Sequence, residues 1–183
     1  FGAKLTNIYS KLFIVELISY NTHDDKYYEY VQRFTDHMSN IEKPQIKEVN
    51  KEQVIVSTKI KFYPDLSFFG MDKFDEDIIS LFTKRVYDMA GILNDCSVFL
   101  NGNKIAINNF SEYCKQYLQD KEGFLCVNVN DKWQIGISSS PDRVFYQVSF
   151  VNSFCSIQGG THVDYITDQI AKYIIDKCQL SID

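Results

Sequence analysis

Residues Val148 to Ile166 read Val-Ser-Phe-Val-Asn-Ser-Phe-Cys-Ser-Ile-Gln-Gly-Gly-Thr-His-Val-Asp-Tyr-Ile. The apolar run from Val144 to Val151, which contains the start of this stretch, predicts a strand. The glycine pair Gly159-Gly160 predicts a turn. From Thr161 to about Lys177, apolar residues recur every three or four positions, which predicts an amphipathic helix. A strand, a glycine turn and a helix are therefore expected in that order.

The segment Gly159-Gly160-Thr161-His162 allows two interpretations. One is a second anion site, or a catalytic histidine, at a glycine loop. The other is a glycine turn into a helix capped by Thr161 and Asp164, whose spacing matches a capping box. No serine, cysteine or carboxylate has the local spacing to act with His162. The sequence therefore favours the structural interpretation.

The region before this stretch predicts two strands and a short helix. The strand-like runs are Leu125–Val129 and Trp133–Ile137, and the helix covers Ser111 to Leu118. Gln119–Gly123 is a hydrophilic connection, and the polar pair Asn108-Asn109 precedes the helix. We place a domain boundary near Asn108, which gives domains of residues 1–108 and 109–183.

The clearest helix ahead of that boundary covers Asp75 to Ala90, with Gly91 as its stop signal. Its apolar stripe consists of Ile78, Leu81, Phe82, Val86 and Met89, and Lys84 and Arg85 are expected on its exposed face. Asp75-Glu76-Asp77 could form a metal or acid–base cluster, but acidic first turns are favoured by the helix dipole. Val98 to Ile107 predicts a hairpin, because it turns at Asn101-Gly102.

The first part of the chain predicts a short helix followed by three strands. The helix covers Gly2 to Tyr9, and the first two strands are Lys11–Ser19 and Tyr27–Phe34. Val54 to Phe62 alternates apolar and polar residues, which predicts a half-buried antiparallel strand ending at Pro64-Asp65.

Composition restricts the function classes. Apolar residues make up 45% and charged residues 23% of 183 residues, as in soluble globular proteins. The net charge of −5 argues against wrapping nucleic acid by bulk electrostatics. No run is long and apolar enough to span a membrane, so no membrane partner is expected. Five cysteines without a Cys-x-x-Cys pair indicate neither a disulfide framework nor a zinc site, and favour reduced thiols inside the cell.

Phe1-Gly-Ala-Lys4 is the clearest candidate for a binding site. A lysine in the first turn of a helix opposes the positive end of the helix dipole. A bound phosphate would reverse that effect, because glycine-loop amides and the Lys4 ammonium would converge on it. The alternative is that Gly2 permits a tight turn and Lys4 points into water.

Several stretches resemble, in order, the type IIA topoisomerases in their eukaryotic form. Phe1-Gly-Ala-Lys-Leu5 with Asn7-Ile-Tyr-Ser10 is similar to the tail of the family's glycine-rich ATP loop. Lys61-Phe-Tyr-Pro-Asp65, Phe69-Gly-Met71 and Arg85-Val-Tyr-Asp88 match its next stretch, and Leu100-Asn-Gly102 its hairpin. Val148–Ser153 and Gly159–Ile166 are similar to the transducer signature. The resemblance covers nearly the whole chain.

The resemblance implies an α/β (α+β) fold: the end of a GHKL-type ATPase α/β sandwich, then a ribosomal-protein-like transducer domain. It implies an ATP-hydrolysing DNA topoisomerase that uses Mg²⁺, dimerises when ATP binds, passes double-stranded DNA through a cleaved duplex and acts in the nucleus. Phe1, Gly2, Ala3 and Lys4 carry over as the final contacts of the ATP loop, with Lys4 facing the terminal phosphates.

Other family features have no counterpart in these residues. The water-activating glutamate, the magnesium-holding asparagine and the first loop glycines are expected before Phe1, and the Gln-Thr-Lys loop after Asp183. We therefore expect no catalytic or metal-binding residue in this segment, and no ATP hydrolysis by it alone. The alternatives are a bacterial-type gyrase B region and a non-catalytic dimerisation or binding module that kept the transducer fold.

Overall fold

A computed structural model describes residues 1–93, 95–119 and 122–178. The chain divides into two compact units, Phe1–Asp75 and Glu76–Asp183. This division lies ahead of the domain boundary predicted near Asn108, because the helix that begins at Glu76 packs against residues on both sides of Asn108. The two compact units are defined by contacts within the chain, whereas the predicted boundary separates two domains of the family. The predicted boundary therefore stays a prediction.

The first unit contains one helix and an antiparallel sheet of five strands, with two single turns of 3-10 helix. The predicted opening helix and first two strands are confirmed. The elements are α1 Gly2–Ile8, β1 Ser10–Asn21, β2 Lys26–Thr35, β3 Asn40–Ile41, β4 Gln45–Val49 and β5 Ser57–Pro64, and the 3-10 turns are Lys51–Gln53 and Leu66–Phe69.

Strand β1 lies in the middle of the sheet, between β2 and β5. The far edge of β2 pairs with both β3 and β4. Residues directly opposite each other share a face of a sheet, so Phe13 lies beside Phe34 on β2 and Phe62 on β5. Phe13 is buried, and this side is the apolar face. Glu16 lies on the other face, where it pairs with Lys59 and Lys61.

The strand predicted over Val54–Phe62 is correct in type and wrong in extent and burial. Residues 54–56 follow the 3-10 turn and are not paired, so the strand begins at Ser57. Its apolar side chains Ile60 and Phe62 are 51% and 44% exposed. Alternation identified the face correctly, but burial also requires a second layer over that face.

In the second unit, the described residues form three helices and three two-stranded hairpins. The hairpin predicted around Asn101-Gly102, the strands predicted at Leu125–Val129 and Trp133–Ile137, and the final helix are confirmed, and the two strands pair with each other. The elements are α2 Glu76–Ile92, β6 Phe99–Leu100, β7 Asn103–Lys104, α3 Phe110–Cys114, β8 Leu125–Asn130, β9 Trp133–Ile137, β10 Phe150–Val151, β11 Phe154–Cys155 and α4 Thr161–Cys178.

The core of the second unit is built where α2, α3 and the β6–β7 hairpin meet. Its buried members are Ala90, Ile105, Ile107 and Tyr113. Around them pack the half-buried side chains of Val86, Val98, Leu100, Phe110 and Phe150. Burying these side chains is the main favourable contribution to folding of this unit.

The prediction that Gly91 stops helix α2 is wrong. The helix continues through Gly91 to Ile92, and Gly91 is buried. A Cβ at Gly91 would lie 2.2 Å from Cγ of Tyr113, so the glycine admits the tyrosine ring. The predicted apolar stripe is also only partly buried, since Leu81 and Phe82 are 63% and 51% exposed.

Three further expectations need correction. Of the run Val144–Val151, only Phe150 and Val151 pair with another strand among the described residues, because pairing needs a partner that composition does not specify. The helix predicted over Ser111–Leu118 is the shorter α3. Helix α4 begins at Thr161 itself, so this threonine lies inside the helix and not at the cap of a capping box.

The remaining predictions concern the connection after α3 and the membrane. The predicted connection Gln119–Gly123 falls partly on Asp120 and Lys121, which lie outside the described residues. Across the residues that are described, no helix combines the length and the apolar character that crossing a membrane requires.

Candidate functional site

The four residues of the predicted ATP loop lie at the start of helix α1. Phe1 precedes the helix, and its carbonyl accepts the first intrahelical hydrogen bond, from the amide of Leu5 at 3.0 Å. The amides of Gly2, Ala3 and Lys4 come before that bond, and such first-turn amides have no intrahelical acceptor. The structure thus brings three outward-facing amides and one lysine to a single helix end.

The side chains at this helix end make little contact with the rest of their unit. Phe1 is fully exposed, and Ala3 and Lys4 are also exposed. A Cβ at Gly2 would meet no atom within 4 Å. Packing within the described chain therefore does not require a glycine at position 2.

The opposite end of α1 is held firmly. Ser10 is 1% exposed, and its hydroxyl donates to the carbonyl of Thr6 at 2.5 Å. The Thr6 hydroxyl in turn donates to the carbonyl of Gly2 at 3.0 Å. Asn7 is also buried, at 5% exposure. These contacts fix the helix and thereby the direction of its first-turn amides.

A group of four side chains, which we call the Asp65 cluster, lies beneath this end of α1. It consists of Lys11, His37, Asp65 and Ser67. Ser67 donates to one Asp65 carboxylate oxygen from both its amide (3.2 Å) and its hydroxyl (2.6 Å). The Lys11 ammonium lies 3.4 Å from the same oxygen. Hydrogen bonding from Ser67, assisted by the charge of Lys11, holds the pKa of Asp65 below its ordinary value.

His37 links this cluster directly to the helix. Its Nδ1 lies 3.1 Å from the carbonyl oxygen of Ile8, and its Nε2 lies 3.3 Å from the other oxygen of Asp65. Both neighbours are hydrogen-bond acceptors, and an imidazole that carries both N–H groups can donate to both. The backbone supports this position, because the amide of Asp65 donates to the carbonyl of Tyr9 at 2.9 Å.

The turn that carries His37 is unusual. Asp36, His37 and Met38 have φ values of 52°, 55° and 65°. Three successive residues other than glycine in the left-handed region are uncommon, and such strain persists only where the surroundings determine it. Here the contacts of His37 with Ile8 and Asp65 supply that support.

Aromatic packing completes the anchor of α1. The ring of Tyr9 lies 5.3 Å from that of Phe68 and 5.4 Å from that of Phe69, measured between centroids. The His37 ring contacts Phe68 from another side, at 5.4 Å. The 3-10 turn after Asp65 thus packs against the end of the helix.

The second unit has its own buried carboxylate, Asp88 on α2. Its exposure is 2%, and both of its oxygens accept hydrogen bonds from Lys84 at 2.9 Å. The hydroxyl of Tyr113 donates to Asp88 at 2.7 Å and lies 2.7 Å from the hydroxyl of Tyr117. Lys84, Asp88, Tyr113 and Tyr117 form what we call the Asp88 cluster.

Burial and hydrogen bonding shift the pKa values in this cluster. Burial raises the pKa of Tyr113, as does the hydrogen bond to Asp88, so its hydroxyl stays protonated as a donor. Burial alone would lower the pKa of Lys84, but the Asp88 carboxylate raises it overall. The hydrogen bond from Tyr113 to Asp88 thus joins α3 to α2.

The neighbouring cation on α2 has a different role. Nη2 of Arg85 donates to the carbonyl of Ser153 at 2.6 Å. Asn152 and Ser153, with φ values of 48° and 66°, form the left-handed turn between β10 and β11. Lys84 and Arg85, expected on the exposed face, are therefore both engaged within the second unit.

The glycine pair before α4 supports the structural interpretation of His162. The ring of His162 lies 3.3 Å from the position that a Cβ of Gly160 would take. Nε2 of His162 is buried and has no hydrogen-bond partner in the described part of the chain.

The acidic residues at the start of α2 have a structural explanation. Glu76 and Asp77 lie in the first turn of α2, where the helix dipole favours them. No group of three or more metal-ligating side chains occurs among the described residues.

Sequence reasoning missed His37, Asp65 and Asp88 as organising residues. Asp65 and Asp88 both end stretches that resemble the family, but that resemblance assigns neither residue a partner. Two of the partners of Asp65, Lys11 and His37, lie in segments distant in sequence. The apolar pattern of α2 does not mark Asp88, which is buried together with Ala90 and Gly91. The Lys-x-x-x-Asp spacing on α2 is the one local signal of a partner.

Comparison with known proteins identifies the family. The chain is 41% identical to DNA topoisomerase 2 of Arabidopsis thaliana over 185 residues and 39% identical to human DNA topoisomerase 2-alpha over 185 residues. Each alignment covers 96% of this chain. The chain belongs to the DNA topoisomerase II family. No protein-family model matches it.

Solved structures agree with the sequence relatives. The ATPase region of Saccharomyces cerevisiae topoisomerase II matches with a TM-score of 0.85 and 39% identity, over 100% of this chain and 47% of that one. The ATPase and transducer domains of topoisomerase II from Balamuthia mandrillaris match with a TM-score of 0.84 and 38% identity, over 96% and 44%. The mixed α/β fold is therefore that of the ATPase and transducer region.

The match covers only a small part of the sequence relatives. The chain spans 12% of the Arabidopsis protein and 11% of the human protein. The aligned residues thus correspond to one part of those much longer proteins.

Proposed function

We propose that this segment belongs to the ATP gate of an ATP-hydrolysing type II DNA topoisomerase. Such an enzyme passes one DNA duplex through a transient double-strand break in another. The observation that carries the proposal is the 39% identity and 0.85 TM-score to the yeast ATPase region along the full length of the chain. The match covers both units at an identity well above what a shared fold alone requires.

Within that gate, we propose that Phe1, Gly2, Ala3 and Lys4 contact the triphosphate of ATP. First-turn amides of a helix favour an anion, and a nearby ammonium adds a charge of the right sign. The unfilled space around Gly2 leaves room for close approach of a phosphate. The tightly held far end of α1 would keep those amides oriented as charge develops on the terminal phosphates.

The donor set at this helix end suits phosphate and does not suit a metal ion. Amides and an ammonium donate hydrogen bonds, whereas Mg²⁺ requires oxygen ligands. We therefore propose that Mg²⁺ is used by the enzyme through ligands outside these residues. Mg²⁺ would neutralise phosphate charge, and the first-turn amides and Lys4 of this chain would orient the triphosphate.

The remaining proposals concern the whole protein. We propose double-stranded DNA as its substrate, a homodimer closed by ATP as its working form, and the nucleus as its location. We also propose that residues 109–183 form the start of the transducer domain and residues 1–108 the end of the ATP-binding domain. The resemblance to the Balamuthia ATPase and transducer domains supports that division.

The test is ATP hydrolysis by the full-length protein, with and without linear DNA. We expect hydrolysis that DNA stimulates, and we expect Lys4→Ala to lower turnover while the protein stays folded. Lys43→Ala is the matched control, since Lys43 is another exposed lysine of the first unit. Normal turnover in Lys4→Ala would contradict the role of Lys4 but would leave the enzyme proposal standing.

A protein that neither binds nor hydrolyses ATP would contradict the enzyme proposal and favour the dimerisation or binding module. Supercoiling of relaxed DNA would instead favour a gyrase-type enzyme. The isolated 183-residue segment is expected to show no hydrolysis under the same conditions.

A further inference from the structure

Two cysteines of the second unit lie on the same side of the β8–β9 hairpin. Cys126 on β8 is paired directly with Gly136 on β9, so the side chain of Cys126 points to the face on which a Cβ of residue 136 would lie. Cys114, the last residue of α3, approaches that same face. Its Sγ is 2.8 Å and its Cβ 3.5 Å from the position a Cβ of Gly136 would take.

The missing side chain at position 136 is what permits this approach. A contact of 2.8 Å is shorter than real Cβ atoms show, so any larger residue at position 136 would displace Cys114. Directly opposed Cβ positions in an antiparallel pair lie about 4.5–5.5 Å apart. Cys114 and Cys126 therefore lie on the same face of the hairpin, both beside position 136, and the Cys126 thiol is close enough to contribute to the raised pKa of Cys114.

We propose that Cys114 and Cys126 are a modification site: under peroxide they form an intramolecular disulfide that fastens α3 to the β8–β9 hairpin. A disulfide needs Cβ atoms about 3.5–4.5 Å apart. Helix α3 has five residues, so the movement that closes the remaining gap is local. Both thiols are free and half-buried in the reduced chain.

The two cysteines differ in reactivity. Burial raises the pKa of Cys114 to about 12, with a smaller contribution from the neighbouring Cys126 thiol. Because the thiolate attacks the peroxide oxygen, the raised pKa of Cys114 disfavours it as the first reactant, and we assign that step to Cys126. Cys114 then acts as the resolving thiol, because its position compensates for its low thiolate fraction.

The chemistry balances with peroxide as the oxidant. The Cys126 thiol reacts with hydrogen peroxide to give a sulfenic acid and one water molecule. The Cys114 sulfur then attacks the sulfenic sulfur, the S–S bond forms, and the sulfenic oxygen leaves as a second water molecule with the thiol proton. Each thiol loses one hydrogen, peroxide is reduced to water, and a dithiol reductant reverses the change.

The experiment treats the full-length protein with hydrogen peroxide, blocks remaining thiols by alkylation, and maps peptides without reduction. We expect a cross-linked peptide pair containing Cys114 and Cys126, lighter by two hydrogen atoms than the sum of its parts and lost after reduction. A bifunctional bimane reagent, which fluoresces when it bridges two nearby thiols, is expected to label the same pair in the reduced protein.

Three variants make the test specific. Cys126→Ser is expected to abolish the cross-link, and Cys155→Ser, which changes another half-buried cysteine, to leave it intact. Gly136→Ala retains both thiols and is expected to lose most of the cross-linked product, because its Cβ displaces Cys114. Circular dichroism confirms that each variant is folded.

The proposal is overturned if folded wild-type protein gives no Cys114–Cys126 peptide while other cysteines oxidise. It is also overturned if bimane bridging fails, or if pairs such as Cys96 with Cys178 form as readily as the expected one. Formation of the cross-link in Gly136→Ala at the wild-type level would contradict the geometric argument.

Discussion

Each unit of the chain buries one aspartate beside a lysine, and the two aspartates are used differently. Asp65 is 8% exposed and is held mainly by the amide and hydroxyl of Ser67, two residues later. Asp88 is 2% exposed and is held by Lys84 on its own helix and by Tyr113 from α3. The first carboxylate organises loops around the end of a helix, and the second joins two helices.

The two clusters contribute to the stability of their units in different ways. The partners of Asp65 include a Lys11 side chain that is 67% exposed, so solvent can replace part of what that cluster provides. Tyr113 belongs to the apolar core of the second unit, at 3% exposure. Breaking the Asp88 cluster therefore disturbs the core, while breaking the Asp65 cluster loosens one helix end.

The largest expected effect comes from Asp88→Ala. The substitution removes the acceptor of the buried Tyr113 hydroxyl and of the half-exposed Lys84 ammonium. A buried donor left without its acceptor, together with the lost charged hydrogen bonds, costs up to about 3 kcal/mol. The denaturation midpoint in urea, compared with wild type in the same protein, measures it. Asp88→Asn, which keeps an acceptor oxygen, is expected to lose less. Equal losses in both variants would show that the carboxylate charge decides the effect.

Gly91→Ala is expected to lower the free energy of unfolding by about 2 kcal/mol, as overpacking does. Its Cβ would lie 2.2–2.6 Å from three atoms at the base of the Tyr113 side chain. An alanine in a helix that met no such contact would stabilise it. In a Tyr113→Gly background, which removes all three of these atoms, the penalty is expected to vanish, which a double-mutant cycle measures. A penalty that persists there would place its origin elsewhere.

Tyr113→Phe separates the hydrogen bond from the packing. The ring stays, and Asp88 keeps both contacts with Lys84, so the expected loss is about 1 kcal/mol. Urea denaturation again reports it. A loss as large as that of Asp88→Ala would mean that the hydroxyl, and not the Lys84 pair, satisfies the buried carboxylate.

The smallest expected effect concerns Asp65 and depends on pH. Because its folded pKa lies below the ordinary value, ionised Asp65 stabilises the fold above the unfolded pKa of about 3.9. That contribution is lost as the pH falls through the lowered folded pKa. Wild type is therefore expected to be more stable than Asp65→Asn at pH 7, and the difference is expected to shrink on acidification below about pH 4.

Thermal unfolding of both proteins between neutral and acidic pH provides the measurement. Ser67→Ala, which removes the strongest donor, is the companion variant and is expected to show a smaller dependence in the same direction. A stability difference that grows on acidification would contradict the assignment of Asp65.

The sequence predicted what local patterns determine. The helix at Gly2–Tyr9, the hairpin at Asn101-Gly102 and the long closing helix each carry a periodicity or turn signal within a few residues, and all three are present. The prediction that Gly91 ends its helix was wrong because the glycine is needed for packing against Tyr113, 22 positions later in the chain. That contact exists only in the folded core. The strand predicted over Val144–Val151 was mostly wrong because a strand needs a pairing partner, which composition does not specify.

The residues of the candidate site also fall into those that a local pattern predicts and those that only the fold brings together. Phe1 to Lys4 were found from a motif, and their role stays a prediction. His37 was not found, because nothing near it in sequence shows that the ends of three segments meet there. Its contacts to Ile8 and Asp65 span 29 and 28 positions, beyond the reach of any local pattern.

The central position of β1 has a consequence for the growing chain. During synthesis, β2 can pair with β1 as soon as residue 35 has left the ribosome, while the other edge of β1 pairs only with β5, which ends at Pro64. For that interval β1 presents a bare edge of amides and carbonyls, the kind of surface that recruits strands from other chains. Ribosome-bound chains whose emerged part ends between residues 35 and 64 are thus intermediates in which the β1–β2 pair is open to aggregation along one edge, and in which a chaperone would find a strand edge to bind.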